Sequence, residues 1–281
     1  MSDVPSTTVR APATTVLRLL TDVAAWPRVF PSVVHAEPID GGSARVWWLR
    51  DDEIAEAVVG YDRGTGSVRF QSDGLGPPIG GTWTAEPLGE GESRLRGEAD
   101  LEPVRIAAEE ETGQPEVHLE FADTVRIAGA ASDVYAFLHR VEEWPRVVPH
   151  VAAASARPAG PHGRFVEIDN AGPDGPVRTT EAVRVGFPHR AIVEKHRLLP
   201  PLATLHVLRW TIEESGGSVS VTAAHTVVIR PSGVTAVLGE GTTVAGAREW
   251  IRKALGGNSV VVAERARAYA EERAGTGVPR P

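Results

Sequence analysis

Apolar and polar residues alternate in short runs along most of this chain, and glycine and proline break the runs. In the second half the runs fall at 118–127, 151–157, 163–169, 177–185, 190–196, 203–213 and 218–229. A period of two places every second side chain on one face, the pattern of a strand buried on one side. Turn sequences such as GPDGP and ESGG separate them. The period becomes helical at 131–140 and again over 242–273. There Val244, Ile251, Leu255, Val262, Ala266 and Tyr269 keep one stripe across an interruption at Gly256-Gly257. Six or seven antiparallel strands and one long amphipathic helix predict a curved sheet gripping that helix, with a cavity between them. The first half starts in the same way and carries strand runs at 34–40, 43–50, 54–59, 67–71, 81–86 and 93–101.

The halves also share a motif. Residues 23–33 read VAAWPRVFPSV and residues 141–151 read VEEWPRVVPHV, each after a helical segment, PATTVLRLLTDV or AASDVYAFLHRV. GTWTAEP at 81–87 parallels LRWTIEE at 208–214, so Trp83 matches Trp210 and Trp26 matches Trp144. Solenoid repeats run about 20–50 residues, so a register of this length is one small domain duplicated. The predicted architecture is α+β, with domains at 1–117 and 118–281. After Pro103 only VRIAAEEETGQPEV precedes the strand at 118, too little for a ~30-residue helix rising ~1.5 Å per residue. The first copy therefore lacks the closing helix, and its sheet must be covered by the other domain or by a second subunit in a homodimer. A fragment 1–117 is expected not to fold alone.

Composition narrows the classes. Of 281 residues, 42% are hydrophobic, and no apolar run approaches the ~20 residues of a membrane span. The start, MSDVPSTTVRAP, has no charged region leading into an apolar core, so no secretory leader is expected. The absence of cysteine excludes disulfides, thiolate metal sites and Cys nucleophiles. A cytoplasmic, non-membrane protein is expected. Residues 1–117 carry 20 acidic and 10 basic side chains, whereas 118–281 carry 17 and 19. The second half could therefore accept an anionic partner, but its basic residues are scattered, which argues against nucleic acid. No GxGxxG or Walker loop, no HExxH spacing and no GxSxG elbow occurs. Cofactors and metals are not expected.

The helix before WPRVVPHV, then VRTTEAVRVGFPHR, LHVLRWTIEE, VTAAHTVVIRP and ALGGNSVVVAERARAYAE, resemble the didomain aromatase/cyclases of bacterial type II polyketide synthases. The likeness spans almost the whole chain and is strongest from Phe121 to Glu272. It implies two tandem helix-grip (START-like) domains. It also implies a substrate, a ketoreduced poly-β-ketone on an acyl carrier protein, with the ketosynthase and ketoreductase as further partners. The implied reaction is intramolecular aldol closure of the first ring followed by dehydration. Helix-grip domains also carry apolar ligands without chemistry, so a ligand-binding protein or a polyketide chaperone is the alternative reading.

His225 shares a strand face with Val219, Val221, Ala223, Val227 and Ile229. It is either a satisfied core residue or, as the resemblance implies, the pocket's acid/base, since imidazole exchanges protons near neutrality. Arg184 takes the place of the family's strand arginine, which the resemblance assigns to a ketone or enolate oxygen; a surface arginine on an edge strand is the alternative. Where related pockets carry Ser or Trp two and four residues earlier, this chain has Ala182 and Thr180. Counting along the first copy sets Val59 against Arg184 and Gly97 against His225, so that copy is expected to be non-catalytic. His206 and Trp210 share a face suited to stacking on a flat product. Asn258, on the helix stripe, serves either as a strut to the sheet or as a substrate contact. Trp144 forms the pocket base or a packing anchor, and His150 guards the entrance.

Overall fold

Each of two sheets has seven antiparallel strands, and the strand order is the same in both. The structure is a computed structural model that describes residues 4–72, 77, 79–171 and 177–276; the predicted turn GPDGP at 172–176 lies outside them. The chain divides into two compact units, Met1–Pro115 and Glu116–Pro281.

The first unit runs β1 (Ser6–Val9), α1 (Ala13–Thr21), α2 (Trp26–Val29), β2 (Val33–Asp40), β3 (Ser43–Arg50), β4 (Glu53–Gly64), β5 (Ser67–Ser72), β6 (Gly81–Gly89), β7 (Glu92–Arg96) and α3 (Glu102–Gly113). Its sheet order is β1-β7-β6-β5-β4-β3-β2. The predicted strand 93–101 stops at Arg96 because a helix begins. The Glu102 backbone N–H donates to Asp100 Oδ1 at 3.0 Å, and Pro103 sits in the first turn, where its missing N–H costs nothing. The 12-residue α3 buries Val104, Ala107 and Ala108. Above the sheet, Trp26, Phe30, Tyr61, Phe70 and Trp83 pack edge to face with ring centroids 5.6–6.2 Å apart. The first copy does lack a long helix; five rings and the short α3 pack against its sheet instead.

The second unit runs β8 (His118–Ile127), α4 (Ala131–His139), β9 (Val151–Pro158), β10 (Gly163–Asn170), β11 (Arg178–Phe187), β12 (Ala191–Leu198), β13 (Ala203–Ser215), β14 (Ser218–Ile229), α5 (Pro231–Leu238) and α6 (Val244–Thr276). Its order, β8-β14-β13-β12-β11-β10-β9, repeats that of the first sheet. The short α5 follows a Pro at its first turn, a start signal that PSG disguises as a turn. The 33-residue α6 matches the single long helix expected over 242–273, and the Gly256-Gly257 pair that interrupts its apolar stripe does not break it. A Cβ at Gly256 would collide with the Arg252 guanidinium and come within 2.8 Å of Asp123 Oδ2. The glycine makes room for the Arg252–Asp123 ion pair, 2.6 Å, which ties α6 to β8.

Both copies of the WPRV motif form helical turns where loops are predicted. Trp26 Nε1 donates to the Leu20 carbonyl and Trp144 Nε1 to the Phe137 carbonyl, each at 3.1 Å. The repeated tryptophan thus caps the preceding helix, satisfying a carbonyl that has no partner within it. Among the described residues no helix is long and apolar enough to cross a membrane.

Candidate active site

A cavity of about 190 Å³ lies between α6 and the inner face of the second sheet. Alternation along the strands chooses its wall. Glu194 and His196 come from β12, His206, Leu208 and Trp210 from β13, and His225 and Val227 from β14. Thr180, Trp144, His150 and Asn258 complete the set of sequence-predicted residues that line it. Arg184 is the exception.

His225 is buried and stacks on Phe121, its cross-strand neighbour, with centroids 4.6 Å apart. Its Nε2 lies 2.8 Å from Ser259 Oγ and its Nδ1 lies 3.0 Å from His206 Nε2. His206 in turn stacks on His196 at 4.2 Å. Burial, with the nearby His196 and Arg252 and against the pull of Asp123, pushes the His225 pKa down to about 4. Burial, with His196 and His225 beside it, holds His206 well below the ordinary range. Both rings are therefore neutral at pH 7. A neutral His225 has one N–H. If Nδ1–H donates to His206, Nε2 accepts the Ser259 hydroxyl; if His206 donates, Nε2–H donates to Ser259. Switching between the two moves one proton along the chain. The rings stack instead of converging, and among the described residues no group of three or more His, Asp or Glu could hold a metal ion.

Arg184, expected to hold a ketone or enolate oxygen, has fixed partners of its own. Its NH1 donates to the Leu138 carbonyl and its NH2 to Glu194 Oε1, both at 2.6 Å. The guanidinium lies over the Trp144 ring at 5.4 Å, and the residue is 1% exposed. Trp210 Nε1 donates to the same Oε1 at 3.2 Å. It is the carboxylate, not the arginine, that reaches the cavity wall. Sequence reasoning missed Glu194 because it lies ten residues from Arg184 across a hairpin turn, at His189 with φ 60°, whose register decides the pairing.

Asn258 is exposed at the mouth, with Trp250 half-exposed nearby, whereas the next residue, Ser259, is 5% exposed and faces His225. Thr180 Oγ1 donates to the Ile168 carbonyl at 3.1 Å and receives Asn170 Nδ2 at 3.3 Å. His150 is half-buried, which lowers its pKa.

Cross-strand registers correct the comparison between copies. Trp83 pairs with Val68 as Trp210 pairs with Ile192, so Phe70 stands for Glu194. Phe70 pairs with Tyr61 as Glu194 pairs with Arg184, so Tyr61, not Val59, stands for Arg184. Gly97 follows the last β7 pair, Thr84↔Arg96, and a Cβ there would meet the Trp83 ring at 2.8 Å. It therefore matches Ala223, the partner of Trp210, and not His225. The first unit has exchanged an ion pair for two aromatic rings, which leaves Trp83 Nε1 buried without an acceptor among the described residues.

A seven-stranded sheet gripping a long helix, with polar groups turned into an apolar cavity, defines a helix-grip protein. Comparison with known proteins gives the family. The family model described as "Polyketide cyclase / dehydrase and lipid transport" matches residues 4–114. The granaticin polyketide synthase bifunctional cyclase/dehydratase of Streptomyces violaceoruber is 33% identical, over 95% of this chain and 93% of that one. The actinorhodin counterpart of Streptomyces coelicolor is 32% identical, over 93% and 94%. The crystal structure of the di-domain ARO/CYC of the steffimycin pathway superposes with a TM-score of 0.87 at 31% identity, over 98% of this chain and all of that one. That of the BE-7585A pathway gives 0.84 at 32% identity, over 96% and 98%. The chain belongs to the bifunctional cyclase/dehydratases of type II polyketide synthases, the di-domain aromatase/cyclases, and is an enzyme of that class.

Proposed function

We propose that the second unit closes and dehydrates the first ring of a poly-β-ketone that is ketoreduced and carried by an acyl carrier protein in the cytoplasm. The observation that carries this reading is the Ser259–His225–His206 chain in an otherwise largely apolar cavity. In this reading Ser259 hands a proton to the oxygen that becomes the leaving hydroxyl, and neutral His225 replaces it from the His206 side. Trp210 and Trp144 offer flat faces to the product, and Thr180 with Asn170 contacts a carbonyl. His150 and Asn258 meet the chain at the entrance. Arg184 positions the cavity base and touches no substrate. Holding a flexible chain in one reactive conformer supplies much of the rate. The steps need no cofactor. The first unit, with rings where the second has its ion pair, serves as a scaffold.

The test is reconstitution with a minimal synthase and ketoreductase, comparing wild type with His225→Ala and Ser259→Ala. Wild type is expected to give one aromatic product. General acid–base catalysis contributes about 10²–10⁴-fold, so the folded His225 variant should lose at least about 100-fold. Identical shunt products with and without wild-type protein would replace the cyclase reading with that of an apolar-ligand carrier or chaperone.

A further inference from the structure

The second unit also has a polar pocket of about 140 Å³ lined by Tyr135, His139, Arg164 and Arg184, and a groove beside Arg146 and Arg265. In the first of these both arginines already have acidic partners, Glu142 for Arg164 and Glu194 for Arg184. Glu194 carries more.

We propose that Glu194 is the base that takes the α-proton and so starts ring closure, a role that rests on the cyclase reading above. Three observations support it. First, Glu194 is buried yet lines the cavity, within electrostatic reach of His196. Secondly, its two oxygens differ. Oε1 accepts from Arg184 NH2 at 2.6 Å and from Trp210 Nε1 at 3.2 Å, while Oε2 accepts no hydrogen bond among the described residues. One oxygen is fixed, and the other is left for substrate. Thirdly, the pair is not repeated in the first unit, where Phe70 replaces Glu194 and Tyr61 replaces Arg184. A strut needed by the fold alone would be expected in both copies of the same sheet.

The chemistry balances without a co-reactant. Glu194 Oε2 removes a proton from a carbon between two carbonyls, and the C–H electron pair moves onto a carbonyl oxygen as an enolate. That carbon bonds to a distant ketone carbon of the same chain, whose oxygen takes a proton through Ser259 and becomes a hydroxyl. The protonated Glu194 carboxyl then gives its proton to that hydroxyl, which leaves as water. The second α-proton passes to the Ser259 chain and replaces the proton it lent, so every side chain ends as it began. A methylene between two carbonyls is acidic enough for a carboxylate held in place to serve as the base, and Arg184 with Trp210 supplies that placement.

The test separates proton abstraction from cyclisation. The probe is an N-acetylcysteamine β-ketothioester in D₂O, and the readout is loss of its methylene proton signal above the buffer rate, with thermal melts in parallel. Wild type is expected to accelerate exchange. Glu194→Gln removes the base and should lose at least about 100-fold of that acceleration. Because Gln leaves Arg184 without a counter-charge, Glu194→Asp is the second arm. It keeps the charge but withdraws the carboxylate by one methylene, and should lose about tenfold or more while remaining folded. Exchange at the wild-type rate in either folded variant, or no acceleration by wild type, overturns the proposal. Failure of the cyclase reading shows separately, as unchanged shunt products in the reconstituted synthase.

Discussion

At Asn258 and Ser259 a single position decides which side chain meets His225. A helix turns ~100° per residue, so the spacing 251, 255, 258, 262 and the spacing 251, 255, 259, 262 read equally well as one stripe. Only packing against β14 selects Ser259. Arg184 shows a further limit: alternation along 177–185 decides neither its face nor its counter-charge, because both faces mix polar and apolar residues and the pairing depends on a hairpin register. The consequence is measurable. Arg184→Ala strands a carboxylate in the wall and should cost about 3–5 kcal/mol, whereas Arg184→Met with Glu194→Leu should cost much less. Denaturant unfolding of both checks this, and a loss of activity in Arg184→Ala therefore cannot by itself assign catalysis to the guanidinium. His225 gives a second prediction. Its folded pKa, about 4, lies below the ordinary 6.5, so the unfolded chain binds a proton that the folded chain refuses between those values. Stability is full above pH 6.5 and falls as pH drops toward 4, at up to about 1.4 kcal/mol per pH unit for this group. His225→Gln should flatten that part of the slope, leaving the share owed to His206; an unchanged slope would mean the ring is already charged in the fold.

Strands were the most legible elements, because one buried face enforces alternation, and the long helix was legible from its stripe. The helices α3 and α5 were not. Each is short and begins at Glu-Pro or Arg-Pro, where proline reads as a breaker unless the first turn is already known to lie there. The WPRV turns were hidden for a related reason, since their caps are indole N–H groups bonded to the preceding helix. The Gly-Gly pair in α6 looked like an interruption, yet the two glycines have different surroundings. Nothing lies within 4 Å of a Cβ at Gly257, while a Cβ at Gly256 would displace Arg252 and Asp123. Gly257→Ala should therefore stabilise by about 0.5–1 kcal/mol through helix propensity. Gly256→Ala should gain nothing or lose stability. Equal gains from both in chemical denaturation would show that the Arg252–Asp123 pair does not constrain the helix.

At the scale of the molecule, duplication gave one sheet order two fillings. The second unit keeps a cavity under a 33-residue helix, and the first closes over aromatic rings with a 12-residue one. That difference argues for a first unit that folds alone, against the expectation for a fragment 1–117. Within the first unit, α3 is fastened on several sides. Arg28 and Arg18 both pair with Glu111, Arg10 pairs with Glu109, and Val104, Ala107 and Ala108 are buried beneath. Exposed pairs of this kind add little each, so the ring cluster must supply most of the driving force. Residues 1–115 expressed alone should give a cooperative thermal transition, and residues 116–281 should carry the β-ketothioester exchange without them. Trp83→Ala in the short fragment should abolish the transition, since removing a buried Trp costs about 3–5 kcal/mol and a small domain has little more than that to lose. A fragment 1–115 that melts without cooperativity would instead show that its ring-filled core depends on the rest of the chain, and the scaffold role would then run from the second unit to the first.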